Sequence, residues 1–298
     1  MKKIIDVSQS EYVSLFLNNL IVKNSQGKIT IPTNDIETVI FENTRVNISM
    51  PLINKLIEQG VNIIFCDHKH LPIAQIIPFS GYFDNKVFNS QINWNDEYKG
   101  NTWKHIIELK ILNSKNLIKS IIPDSIEVVK KLIEYQKDIK PYDLSNREGH
   151  AAKVYFNLLF GKDFKRDKNN AKDFVNICLN YGYTVMIAYV SRALVSKGFD
   201  NRIGIFHKRF DNNIPLACDI VEPIRCYVDK ITYEIIEMQK EDNNINFKDF
   251  KKRFFENLQE HIFVNSKRIK VVDYISLLIR GLLEHKDIKE LEIDWISK

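Results

Sequence analysis

The apolar residues of this chain change their spacing once, near residue 97, and that switch limits what the chain can fold into. Before it, apolar stretches are short and broken by turn residues. Tyr12 to Leu17, Leu20 to Val22, Ile29 to Ile31, Thr38 to Phe41 and Val46 to Ile48 each fit a strand, and Asn24-Ser25-Gln26-Gly27 fits a hairpin turn. Pro51 to Ile57 reads as a short helix, with Pro51 in a first turn, where its missing N–H would be unpaired anyway, and Gly60 just past the end. Val61 to Cys66 has the continuous β-branched character of a buried strand, and Leu71 to Ile77 returns beside it. Past the switch, Trp103, Ile106, Ile107, Leu109, Ile111 and Leu112 recur at helical spacing. Helices are expected over about 97–121, 123–138, 147–160, 171–197, 219–240, 246–259 and 267–286. The fold class that follows is α+β: a small β-rich N-terminal domain over 1–80, a linker over 81–96, and a larger all-helical C-terminal domain over 97–298.

Composition supports a packed globular chain, since 298 residues with 44% hydrophobic side chains can bury a sizeable core. Ten glycines and eight prolines are too few for a linker-rich or collagen-like chain. Cys66, Cys178, Cys218 and Cys226 lie in apolar surroundings with no C-x-x-C spacing, so they read as reduced core residues rather than zinc ligands. Met1 to Ile5 opens like a secretion signal, but Asp6, Ser8, Gln9, Ser10 and Glu11 interrupt it. No run is expected to reach bilayer length, which points to a soluble cytoplasmic protein with no membrane partner.

Charge is concentrated. Between Arg147 and Phe210, twelve basic residues accompany five acidic ones, a local excess of seven in a chain whose net charge is +5, so the remainder is net negative. A phosphate backbone is the natural partner for such a concentration, and solvated helix faces are the alternative.

Two carboxylate-bearing stretches stand out: Ser145-Asn146-Arg147-Glu148-Gly149-His150 and Cys218-Asp219-Ile220-Val221-Glu222-Pro223-Ile224-Arg225. Each also reads as a helix start, because Ser145-x-x-Glu148 is a capping-box pattern and Asp219-x-x-Glu222 resembles one. A histidine between them, in Ile205-Phe206-His207-Lys208-Arg209, supplies an imidazole. Two carboxylates and an imidazole suit one divalent ion that keeps positions for water and phosphate oxygens. Asp67-His68-Lys69-His70 reads as a polar turn rather than a chelate. Tyr181 and Tyr183 fit either the core or a stacking platform for an unpaired base. There is no Gly-rich phosphate loop and no Gly-x-Ser-x-Gly elbow, so nucleotide hydrolysis and acyl transfer lack support.

Ser-Asn-Arg-Glu-Gly-His-Ala-Ala at 145–152, Leu-Asn-Tyr-Gly-Tyr at 179–183, His207 and Asp-Ile-Val-Glu-Pro-Ile-Arg at 219–225, in that order and spacing, resemble the CRISPR-associated protein one family, the integrase of CRISPR spacer acquisition. The Asn-Arg-Glu-Gly-His-Ala-Ala form and Phe65-Cys66-Asp67-x-Lys69-x-x-Pro72 look most like its type II branch. The resemblance implies a DNA integrase and metal-dependent endonuclease. It puts catalytic metal ligands at Glu148, His207 and Glu222, the last being Asp in many members, with Asp219 as a supporting acid. Arg225, three residues past Glu222, would orient that carboxylate or meet a phosphate. DNA contacts fall on Arg147, Arg166, Lys208 and Arg209. The implied cofactor is Mg²⁺ or Mn²⁺, the imidazole making manganese at least as suitable. Implied partners are double-stranded DNA (spacer precursor and CRISPR repeat), a second copy joined through the β-rich domain, a small adaptation protein bridging the dimers, and the type II effector nuclease with an accessory ring protein. A general structure-selective DNase using the same ligands and a non-catalytic DNA-binding scaffold are the rival readings.

Overall fold

In the computed structural model, described for residues 2–9, 12–24, 27–79, 84–168, 171–207 and 212–295, the chain divides into two units, residues 1–82 and 83–298. The first carries β1 (Lys3–Val7), β2 (Tyr12–Phe16), β3 (Asn19–Asn24), β4 (Gly27–Pro32), β5 (Ile36–Phe41), β6 (Asn47–Ile48), α1 (Met50–Glu58), β7 (Asn62–Cys66) and β8 (Pro72–Gln75). One sheet has the order β1-β5-β7-β8, with β1, β5 and β7 parallel and β8 antiparallel to β7; the other has the order β4-β3-β2-β6. Val13, Leu20, Ile36, Val39, Leu52, Leu56 and Ile63, all fully buried, form the core they share with α1. Strand β1 falls where the sequence suggests only an interrupted leader. Five residues at a sheet edge with only Val7 buried are too few to display an alternation. Asp67 accepts the N–H groups of Lys69 and Leu71 at 2.8 and 3.0 Å, so the 67–71 segment is the polar turn between β7 and β8.

The second unit is built from α2 (Asn85–Ile92), α3 (Asp96–Ile121), α4 (Ile126–Lys137), α5 (Arg147–Phe160), α6 (Phe174–Ser196), α7 (Pro215–Ile220), α8 (Arg225–Glu241), α9 (Phe247–Leu258), β9 (His261–Val264), β10 (Lys267–Lys270), α10 (Val271–Leu283) and β11 (Ile293–Asp294). Helix α2 occupies much of the 81–96 stretch expected as a linker, with Asp84 accepting the N–H groups of Lys86 and Val87 at its start. The all-helical expectation for this unit is corrected by a three-stranded antiparallel sheet, β10-β9-β11. The expected 267–286 helix begins four residues late. Asn265 and Ser266 turn the chain with φ of 48° and 58°, leaving no glycine to mark the hairpin in the sequence.

The expected 219–240 helix is also interrupted. α7 ends at Ile220, a 3₁₀ turn spans Glu222–Ile224, and α8 begins at Arg225. Pro223 has no N–H to continue an α-helix, and its ring would collide with the carbonyl of residue 219. Helix α6 is long and apolar enough to cross a membrane, which the sequence was not expected to provide, but 61% of that stretch is buried inside the unit, as in a core helix. It approaches α8 closely at Gly182, where a Cβ would lie 2.3 Å from Val228 Cγ1.

Candidate active site

Five segments of the second unit converge: the middle of α3, the first turn of α5, the loop after α5 that carries Arg166 and Lys168, the 204–207 loop, and the 3₁₀ turn with the start of α8. They line a cavity of about 370 Å³ that includes Lys110, Glu148, Arg166, Lys168, His207, Glu222, Arg225 and Asp229. Glu148 reaches it because of an unusual entry into α5. Tyr142, Asp143 and Asn146 adopt φ of 59°, 49° and 50°, and this tight turn folds Asp143 back over the helix start. Asp143 then accepts the N–H groups of Arg147 and Glu148 at 2.8 and 2.9 Å. Ser145 is not the cap; its hydroxyl donates to the Asp138 carbonyl at 3.0 Å. The capping-box reading of Glu148 therefore fails, and its carboxylate ion-pairs with Lys110 instead. Gly149 lets Asn146 pack against this turn, since a Cβ would meet the Asn146 amide at 2.7 Å.

Glu222 is almost fully buried and has a cation on each oxygen. Lys110 Nζ donates to Oε2 at 2.6 Å, and Arg225 Nη2 lies 2.9 Å from Oε1. Burial pushes the carboxyl up, but Arg225 and Lys110 outweigh it and hold Glu222 down at about 2. Burial acts on Lys110 in the opposite sense and is likewise overcome, by Glu148 and Glu222, so its ammonium is held above the ordinary lysine range. Arg225 is three residues past Glu222 on backbone that stays right-handed helical, and that spacing brings it back to the carboxylate.

Asp219 shapes the loop opposite. It is fully buried at the end of α7, and its carboxylate accepts the N–H groups of Ile205 (2.6 Å), Phe206 (3.2 Å) and His207 (3.1 Å), besides lying 2.6 Å from His207 Nδ1. It caps no helix start. With Nδ1 held by a carboxylate, Nε2 is the ring nitrogen left to act in the cavity, the arrangement that orients metal-binding imidazoles. Trp103 of α3 stacks on Phe206 at 4.2 Å and meets the His207 ring edge-on, clamping the loop from the other side. Gly204 is required by close approach: a Cβ would sit 2.8 Å from Pro215 Cβ.

Behind the carboxylates, Tyr155 and Tyr183 both donate to Asp229. Burial pushes Asp229 up to about 6 against the pull of these two hydroxyls. The Tyr183 ring carries the guanidinium groups of Arg225 at 4.9 Å and Arg166 at 5.3 Å. Arg166 is further held by the Asn176 and Asn180 side chains at 2.8 and 2.5 Å. Tyr181 instead packs edge-on against Phe247, Phe250 and Phe254. Both tyrosines are buried, so neither is a free stacking platform.

The structure thus brings together Glu148, His207, Glu222, Arg225 and Arg166, with Asp219 directly behind His207. Arg147 does not line the cavity; its guanidinium pairs with Asp138. Lys208 and Arg209 lie outside the described residues. Lys110, Lys168, Asp143, Tyr155 and Asp229 were not singled out from the sequence, and Tyr183 was read only as core or stacking platform. Lys110 alone had a local signal, a lysine among the buried positions Ile106, Ile107, Ile111 and Ser114 of an apolar helix face.

Among the described residues, no three His, Cys, Asp or Glu side chains close into a metal cage. Chemically the donor set nonetheless suits a divalent cation. Two carboxylates from separate elements already share one cation, the Lys110 ammonium, in a cavity that an oriented imidazole also lines.

The architecture is that of Cas1 and casposase proteins. A casposase bound to integration product superposes over 100% of this chain and 96% of its own at TM-score 0.78 with 19% identity, and a CAS1 protein from Thermotoga maritima over 95% and 96% at 0.73 with 14% identity. In sequence, residues 5–270 match the family model for CRISPR associated protein Cas1. The CRISPR-associated endonuclease Cas1 of Neisseria meningitidis serogroup C (strain 8013) is 34% identical over 226 residues, 76% of this chain and 73% of that protein. CRISPR-associated endonuclease Cas1 1 of Francisella tularensis subsp. novicida (strain U112) is 25% identical over 267 residues, 83% of each. The chain belongs to the Cas1 family.

Proposed function

We propose that this chain is a spacer-acquisition integrase of the family's type II branch, joining the 3′-hydroxyl ends of spacer DNA to a phosphodiester of the CRISPR repeat, and cleaving DNA when water takes the hydroxyl's place. The observation that carries this reading is the convergence of Glu148 and Glu222 on a single cation in a cavity that His207, Arg166, Lys168 and Arg225 also line. Glu148, His207 and Glu222 are the residues that would hold Mg²⁺ or Mn²⁺. Bound there, the ion would polarise the scissile phosphate and offset the negative charge that grows on it.

The chain's own residues supply the remainder. Asp219 fixes the imidazole by its Nδ1 side. Arg225 holds Glu222 ionised and aimed into the cavity. Arg166 and Lys168 add positive charge suited to a phosphate and the DNA backbone, Arg166 with its guanidinium plane fixed before any ligand arrives. Names of relatives agree with this use. They include endonucleases and a casposase with integration product, and a further solved structure of the same fold is a Cas6-RT-Cas1--Cas2 complex (TM-score 0.72, 18% identity). The partners that follow are double-stranded DNA, a second copy of the chain, a small bridging adaptation protein, and the type II effector nuclease with its accessory ring protein, all in the cytoplasm. The non-catalytic scaffold is the weaker reading, because it requires Glu148, Asp219 and Glu222 to serve as helix caps and none of them does.

The test is a joining assay with a short duplex, a repeat-containing target and the small partner protein. Strand transfer by 3′-hydroxyl duplexes that vanishes with 3′-deoxy ends and with EDTA is the expected result. Cleavage without joining would favour the DNase, and salt-sensitive binding without any metal-dependent chemistry would favour the scaffold.

A further inference from the structure

The most singular group in the cavity is a lysine. Lys110 projects from the middle of α3, a helix otherwise buried along that face, and its side chain is only 19% exposed. An ammonium at such a position is costly unless it is paired, and here it is paired twice, with Glu148 of α5 and with Glu222 of the 3₁₀ turn. No other described side chain ion-pairs with both carboxylates. Glu148, Glu222, Lys110 and Arg225 together carry no net charge, so a divalent ion placed between the two glutamates brings the group to +2, and withdrawal of one cation halves that excess.

Arg225 is poorly placed to withdraw, its guanidinium lying over the Tyr183 ring. Lys110 ends a flexible four-carbon stem and is held only through its ammonium, by charge-assisted bonds to the two carboxylates. Resting on the proposed role of Glu148 and Glu222 as metal ligands, we propose that Lys110 is a built-in counterion that competes with the metal: it holds the two carboxylates together, and a divalent ion enters by displacing it. The ammonium then remains in the same cavity as an additional cation for the phosphate. Lys110 is in this sense a positioning residue, and removing it has opposite effects on fold stability and on metal affinity. A merely structural lysine would lower both.

The experiment is an electron paramagnetic resonance titration of Mn²⁺ into wild type, K110M, K110Q and E148Q in the absence of DNA, with melting curves in EDTA and in Mn²⁺. Loading forfeits two charge-assisted bonds, to Glu148 and to Glu222, each corresponding to about tenfold in affinity. K110M and K110Q are therefore expected to bind Mn²⁺ about a hundredfold more tightly than wild type while melting at lower temperature in EDTA. K110Q keeps hydrogen-bonding capacity without the charge and carries the comparison if K110M does not fold. Mn²⁺ affinity that is unchanged or weaker in both lysine variants overturns the counterion role. In that case a loss of affinity in E148Q still leaves the ligand assignment standing, whereas E148Q binding like wild type removes that assignment and this inference with it.

Discussion

Asp219→Asn isolates the device that holds the imidazole in place. The carboxylate accepts from four nitrogens, with Oδ2 taking Ile205 N and Phe206 N and Oδ1 taking His207 N and Nδ1. An asparagine keeps one acceptor oxygen and turns an NH₂ toward donors, so two of the four bonds are lost whichever way the amide sits. Hydrogen bonds to a charged acceptor are each worth roughly 1.5–3 kcal/mol, so the expected destabilisation is about 3–6 kcal/mol. Urea unfolding of wild type and D219N would show it as a lower midpoint at unchanged slope. Because the Nδ1 contact is one of the four and an alanine removes it outright, D219A should cost about 1.5–3 kcal/mol less in an H207A background than in wild type. A loss below about 1 kcal/mol, or full additivity with H207A, would refute the view that Asp219 organises the loop through His207.

Other residues give sharper contrasts. D143A should destabilise by about 1 kcal/mol or more and weaken strand joining, whereas S145A should stay within about 0.5 kcal/mol of wild type; chemical denaturation distinguishes the true cap of α5 from the apparent one. G182A should cost about 1–3 kcal/mol through collision with Val228, and V228A in the same chain should recover part of that loss, as read by melting temperature. Asp229 is an acid whose pKa is raised on folding, from 3.8 to about 6. Its burial is therefore tolerated fully below the unfolded value, and stability is lost as pH rises to and through the folded value, by about 3 kcal/mol. D229N should flatten the wild-type decline in unfolding free energy between pH 4 and 7, and parallel pH profiles for the two proteins would contradict the assignment.

Much of this organisation is legible before any coordinates, and where it is not the causes are physical. Continuous apolar runs such as Val61 to Cys66 and the long helical period from Trp103 announce themselves. The β9–β10 hairpin does not, because a turn made by Asn265 and Ser266 carries no glycine and the flanking Lys267–Lys270 merges with the helical pattern that follows. The 219–240 segment keeps its helical period in sequence even though Pro223 breaks it. Glu148, His207, Glu222, Arg225 and Asp219 were reachable because each lies in a local motif. Lys110 and Asp229 act on partners 38 to 112 residues away, a juxtaposition that no local spacing encodes, and Asp143 caps α5 only because positive-φ backbone at 142, 143 and 146 folds it back.

The most direct test of the catalytic site is half-site and full-site joining of a short duplex to a repeat-containing target by wild type, E148Q and E222Q, each with the small partner protein, alongside melting curves and DNA-binding isotherms. The expected result is loss of joining by at least about a hundredfold in both variants, with E148Q retaining its fold and its affinity for DNA. Joining that survives in E148Q, or that disappears only in step with unfolding, would contradict the assignment of Glu148 and Glu222 to the chemistry.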